Sequence, residues 1–98
     1  MTATNVPKRP SQSVFHALGF DDAEAENLRL RSGLMMRVEK FVVQSKLTQV
    51  EAAKLLGITQ PRLNQLLKGK IQVFSLDALV NMLAKAGLRV SFSIKKSA

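Results

Sequence analysis

The chain has 98 residues, a net charge of +8, no cysteine, tryptophan or tyrosine, and 46% hydrophobic residues. That length allows one small domain, which buries only about 60–65% of its unfolded surface and often gains from dimerisation. The absence of cysteine excludes a disulfide framework, a thiolate zinc site and a cysteine nucleophile, no apolar run approaches the roughly 18 residues needed to span a bilayer, and the basic excess points to nucleic acid or an acidic surface.

Residues 1–12, MTATNVPKRPSQ, carry two prolines, small polar residues and the pair Lys8-Arg9. They have neither helical nor strand period, so they read as an arm. Its functional use would be contact with DNA backbone or minor groove through Lys8 and Arg9. Residues 13–20, SVFHALGF, are short and apolar. Val14, Phe15, Leu18 and Phe20 suit either one turn of helix on the core, stopped by Gly19, or a patch for a partner. His16 is the only histidine. With no Cys or carboxylate cluster beside it, it offers neither a metal site nor a catalytic base.

A long helix is predicted over residues 21–45. Asp21 is its N-cap, and Glu24 completes a capping box. Four of the seven acidic residues, Asp21, Asp22, Glu24 and Glu26, lie at this helix start, where they complement the positive end of the dipole. Leu30, Leu34, Val38, Phe41 and Val42 recur at three and four and form the expected core stripe. Gly33 marks a candidate kink, since glycine inside a helix costs roughly 1 kcal/mol relative to alanine. Arg29, Arg31 and Arg37 flank the stripe and are expected in solvent or near phosphate.

Residues 47–70, LTQVEAAKLLGITQPRLNQLLKGK, read as two short helices and a tight turn. Thr48 caps the first and Glu51 closes its capping box. Val50, Ala53, Leu55 and Leu56 are expected inward, and Gly57 supplies the left-handed residue that ends the helix. Ile58 fills the corner between the two. Thr59 caps the second helix, and Pro61 falls in its first turn, where a missing N–H costs nothing. Leu63, Leu66 and Leu67 make its buried stripe. Pro61, Asn64, Gln65 and Lys68 fall on the opposite side, flanked by Gln60 and Arg62. That face has amides and cations and no carboxylate. Amides can bond adenine edges bidentately, while Arg and Lys bind guanine or phosphate. Between residues 46 and 73, five cations stand against Glu51 alone.

Ile71, Val73 and Phe74 are expected to turn inward after this motif. Ser75 then caps a last helix, with Asp77 in its first turn. Its stripe is Leu76, Leu79, Val80, Leu83 and Ala84, and Gly87 stops it. Residues 88–96, LRVSFSIKK, alternate Val90, Phe92 and Ile94 with polar residues, which predicts a strand. A lone strand needs a mate. Within the chain the one candidate is the region of Val14 and Phe15, an alternative that would leave the dimer to the N-terminal segment. The expected mate is the same strand of a second subunit, which makes Val90, Phe92 and Ile94 the predicted dimer interface.

The segments LTQ-EAAK-LGITQ-RLNQLLKGK resemble the helix-turn-helix of the phage repressor and Cro family, also called XRE-type. The flanks AEAENLRLRSGLM and FSLDALVNMLAKAGL resemble its HigA-type antitoxin branch. The resemblance spans about residues 21–88. It implies an all-α, lambda-repressor-like bundle of four to five helices, joined here by the short C-terminal strand. The chain then divides into 1–20 (arm and apolar segment), 21–88 (helix-turn-helix domain) and 89–98 (strand and basic tail). The resemblance also implies base contacts at Gln60, Pro61 and Gln65, with Arg62 and Asn64 as secondary readers. Gln49, Thr59, Lys68 and Lys70 match phosphate-holding positions. Pro61 departs from the polar residue usual there and can give only apolar contact.

The function implied is a DNA-binding repressor, cytoplasmic at the nucleoid, dimeric on a palindromic operator, and the antitoxin of a RelE-like (HigB-like) ribonuclease. The acidic run offers a better match than arginines to that toxin's cationic site. The expected toxin contact is therefore Val14, Phe15, Asp21, Asp22, Glu24 and Glu26. A free-standing regulator without toxin is the nearest alternative, and a protein-interaction module that never meets DNA is the one from another class. No glycine-rich phosphate loop, paired carboxylates or nucleophile elbow is present, so no enzyme activity, cofactor or metal is expected.

Overall fold

The computed structural model describes residues 11–96. The predicted arm, with Lys8 and Arg9, falls almost wholly outside them. Five α-helices follow one another: α1 (Gln12–Ala17), α2 (Asp22–Ser45), α3 (Gln49–Leu56), α4 (Gln60–Leu67) and α5 (Leu76–Lys85), with a 3-10 turn over Ile71–Val73 before α5.

Local chemistry sets the helix starts. Asp21 Oδ1 accepts from the Glu24 N–H at 2.8 Å, and Glu24 Oε1 accepts from the Asp21 N–H at 3.3 Å. Thr48 and Glu51 repeat this box at the start of α3. These bonds hold the Glu51 carboxyl below its ordinary range, the Thr48 backbone N–H contributing most. Thr59 Oγ1 accepts from the Arg62 N–H, and Ser75 Oγ from the Ala78 N–H. Each cap satisfies an N–H that has no partner within its helix. Gly33 introduces no break, and α2 runs unbroken for 24 residues.

Two buried clusters lie along α2. The larger joins Met35, Val38 and Val42 of α2 to Ala52, Ala53 and Leu56 of α3, Leu63 and Leu66 of α4, Phe74, and Leu79, Met82 and Leu83 of α5. The smaller packs Phe15 of α1 on Ala25 and Leu28 of α2, with Phe20 beside them. So α1 is a lid on the first half of α2, and Phe15 meets Phe20 edge-on.

Several stripe assignments need correction. The buried row of α2 is Ala25, Leu28, Ser32, Met35, Val38 and Val42, with Leu30 exposed and Leu34 and Phe41 half-buried. In α3 the inward residues are Ala52, Ala53 and Leu56, whereas Val50 and Leu55 are 53% and 42% exposed. Helix α3 packs on both α4 and α5, and small alanine side chains allow close approach. In α5, Met82 is buried while Val80 and Ala84 face out, and Val73 is also exposed.

The C-terminal strand is not formed, and the described residues contain no strand. Leu88 donates its N–H to Leu83 O, and Leu88 and Val90 pack half-buried on the main core. Beyond them Phe92 and Ile94 are 83% and 89% exposed. The alternating pattern supplies the propensity, but the described residues offer no edge to bond it.

The corner between α3 and α4 is tight. Gly57 has φ +74°, and a Cβ there would lie 2.5 Å from Lys85 Cδ. The stem of Lys85 thus covers the turn. Gly57→Ala is expected to cost about 1–2 kcal/mol from the left-handed backbone alone, with a smaller addition from displacing Lys85. Gly69 has a similar φ of +78° and open space around it. Gly69→Ala should therefore cost slightly less in a urea titration, and equal costs would show that the Lys85 contact contributes nothing.

Candidate nucleic-acid interface

Helix α4 buries Leu63 and Leu66 and turns its other side to solvent. Gln60, Pro61 and Asn64 are exposed on that side, and with Gln49 they line one shallow depression. Gln49 and Gln60 are the first residues of their helices. The turn therefore brings the starts of α3 and α4 together. Residues 11 apart in sequence become one polar surface of three amides and a proline ring. Both helix N-termini lie at this surface, and such ends favour phosphate oxygens.

Lys68 and Lys70 are exposed just beyond α4, and Lys54 is exposed on α3. Thr59, the N-cap of α4, accepts the Arg62 N–H, which leaves its hydroxyl proton free to donate. Gln65 is half-buried at the flank of the polar face.

Arg62 takes a different part from the one its position suggests. Its guanidinium lies 4.5 Å from the centroid of the Phe74 ring. Its Nη2 donates to Val73 O at 3.2 Å. Arg62 therefore ties α4 to the segment before α5, and it does not line the polar depression. The ring lies 12 residues further on, so no local pattern signals the pairing.

Two of the three α2 arginines, Arg29 and Arg31, are likewise engaged, while Arg37 is exposed. Arg29 makes two bonds to the Glu26 carboxylate, at 2.8 and 2.6 Å, and these keep its guanidinium more firmly protonated than usual. Arg31 donates to Asn27 Oδ1 and to the carbonyls of Ile71 and Phe74, stapling the 3-10 turn to α2. Of the acidic run, Asp21 and Glu24 cap α2, and Asp22 Oδ1 lies 2.6 Å from His16 Nε2. Val14 is exposed, while Phe15 is largely buried. Among the described residues no group of three or more His, Cys, Asp or Glu could hold a metal ion. No helix there is long and apolar enough to cross a membrane.

A capped two-helix corner, packed between a long helix and a closing one, with an amide-rich and carboxylate-free outer face, defines a helix-turn-helix domain. A family model described as a helix-turn-helix domain matches residues 14–95, and the chain belongs to that family. Among curated proteins none matches the chain.

Proposed function

We propose that the chain is a dimeric, sequence-specific DNA-binding repressor of the XRE type, non-enzymatic, and that it serves as the antitoxin of a RelE-like ribonuclease. The observation that carries DNA recognition is the shared depression of Gln49, Gln60, Pro61 and Asn64, with Lys68 and Lys70 beside it. In this reading α4 enters the major groove, the amides meet base edges, and the lysines and helix N-termini hold phosphate. The test is operator binding across a ladder of salt concentrations. Affinity should fall steeply as salt rises, because phosphate contacts release counterions. A flat response would leave only a protein-interaction module.

Dimerisation is assigned to the C-terminal segment. Phe92 and Ile94 follow Val90 at every second residue and are uncovered among the described residues. Pairing two such segments antiparallel about a two-fold axis would bond both backbones and cover both side chains. Half-sites would then lie about 10 bp apart, or a multiple of that. Removing residues 91–98 spares the packed Leu88 and Val90. It should give a monomer by sedimentation, with far weaker operator binding. An intact dimer after that truncation would move the interface elsewhere.

The antitoxin role rests on the HigA-type resemblance. Its contact surface is proposed as Val14 with the acidic start of α2, Asp21, Asp22, Glu24 and Glu26. This surface lies on other elements than α4 and so leaves the DNA face clear. Co-expression pull-down with the product of a toxin-sized neighbouring reading frame tests the pairing. Undiminished capture after reversing the charges of Asp22 and Glu26 would remove this surface from the proposal.

A further inference from the structure

We infer that the cleft bounded by α1, α2 and the end of α4 is a binding site for a small aromatic amine that carries a hydroxyl on its ring. The cleft holds about 230 Å³ and is walled by Phe15, Met35, Met36, Leu66, Leu67 and Ile71. An apolar cavity of about 150 Å³ already holds benzene, so one ring with a short chain fits. Two methionine thioethers and a phenylalanine ring favour an aromatic occupant over an aliphatic one.

Two polar groups fix the rest of the chemistry. Ser32 lines the cleft and is only 9% exposed, making it the one buried polar residue among those described. A helical serine normally returns its hydroxyl to a carbonyl one turn back. Ser45 does so toward Val42 O at 2.8 Å, yet Ser32 has no side-chain hydrogen bond among the described residues. Buried hydroxyls are ordinarily bonded, so this one is a donor and acceptor aimed at a ligand. Glu39 lines the same cleft from an exposed position, and no ion pair holds its carboxylate among the described residues.

Ser32 and Glu39 are seven residues apart on α2, two turns and roughly 10 Å along one face. One ammonium cannot touch both. A molecule with a hydroxyl at one end and an ammonium at the other can, with its ring lying between the methionines. A 4-hydroxyphenyl ring bearing a two-carbon amine chain matches that span. The charge of the whole protein works against this choice, since a net charge of +8 attracts anions. A preference for the amine therefore reports the local carboxylate.

The test is titration of the full chain with tyramine, phenethylamine and 3-(4-hydroxyphenyl)propionate, read on the methionine methyl signals. Met35 and Met36 line the cleft, while Met82 is buried in the main core and serves as the internal control. Tyramine should move the first two saturably and leave Met82 in place. It should bind about fivefold tighter than phenethylamine, a difference that Ser32→Ala removes. It should bind about threefold to fivefold tighter than the acid, a preference that Glu39→Gln removes. Both variants should fold, because alanine is the better helix former at residue 32 and residue 39 is exposed. Absence of a saturable shift, equal movement of Met82, or unchanged preferences in both variants would overturn the site. No DNA enters the measurement, so its failure is separate from failure of the DNA reading.

Discussion

Phe74→Ala is expected to destabilise the domain by about 3–5 kcal/mol, a large share of the roughly 5–15 kcal/mol typical of such folds. The side chain is fully buried and sits in one cluster with Val38, Leu56, Leu63 and Leu79, so it touches the packing of four helices at once. Its truncation leaves a ring-sized cavity that helices tied by short connections cannot close. It also removes the ring beneath Arg62, an interaction of about 0.5–2 kcal/mol where partly desolvated. The comparison variant is Phe74→Leu, which keeps most of the volume and should cost about 1–1.5 kcal/mol. Thermal or urea unfolding decides. A loss below about 1 kcal/mol for Phe74→Ala would contradict the placement of this ring at the centre of the core.

Much of the fold was legible because its signals are local. Asp21, Thr48, Thr59 and Ser75 each cap the helix that the sequence assigns them. A cap needs only a side chain and an N–H two or three residues on, so spacing alone finds it. Stripe assignment was less legible. The buried row of α2 includes Ala25 and Ser32, which carry little apolar signal, and the close contact of α3 is made by Ala52 rather than Val50. Hydrophobicity rewards the larger side chain, whereas two helices in close contact select the smaller one. Eight residues of α3 are also too few for periodicity to fix a face.

The candidate site divides in the same way. Gln60, Pro61 and Asn64 were placed by helical spacing from Leu63 and Leu66, and the structure joins Gln49 to them. Arg62 shares their helix but is drawn off by Phe74 and Val73, partners fixed only by the tertiary fold. The strand at residues 88–96 failed for a related reason. Its alternation is a property of the segment, while a strand is a property of a pair.

The sharpest expected effect on recognition is at Asn64. It lies one turn after Gln60 on the exposed side of α4, so both amides project from one stripe over the depression they share with Gln49. An asparagine amide can donate to adenine N7 and accept from its N6 amino group, which discriminates by about 1–3 kcal/mol per bidentate pair. Asn64→Ala should therefore flatten preference at a single base-pair position in an operator library, with the other positions unchanged. Gln65→Ala should alter the profile less, because Gln65 is half-buried at the flank. Lys70→Ala should instead weaken every sequence alike and lower the salt slope by about one. Arg62→Ala should reduce stability while leaving base preference intact, since its guanidinium is held by Phe74 and Val73. A uniform loss for Asn64→Ala would reassign that residue to the phosphate backbone. An unchanged profile for both Asn64→Ala and Gln60→Ala would mean that α4 does not read the major groove through this face.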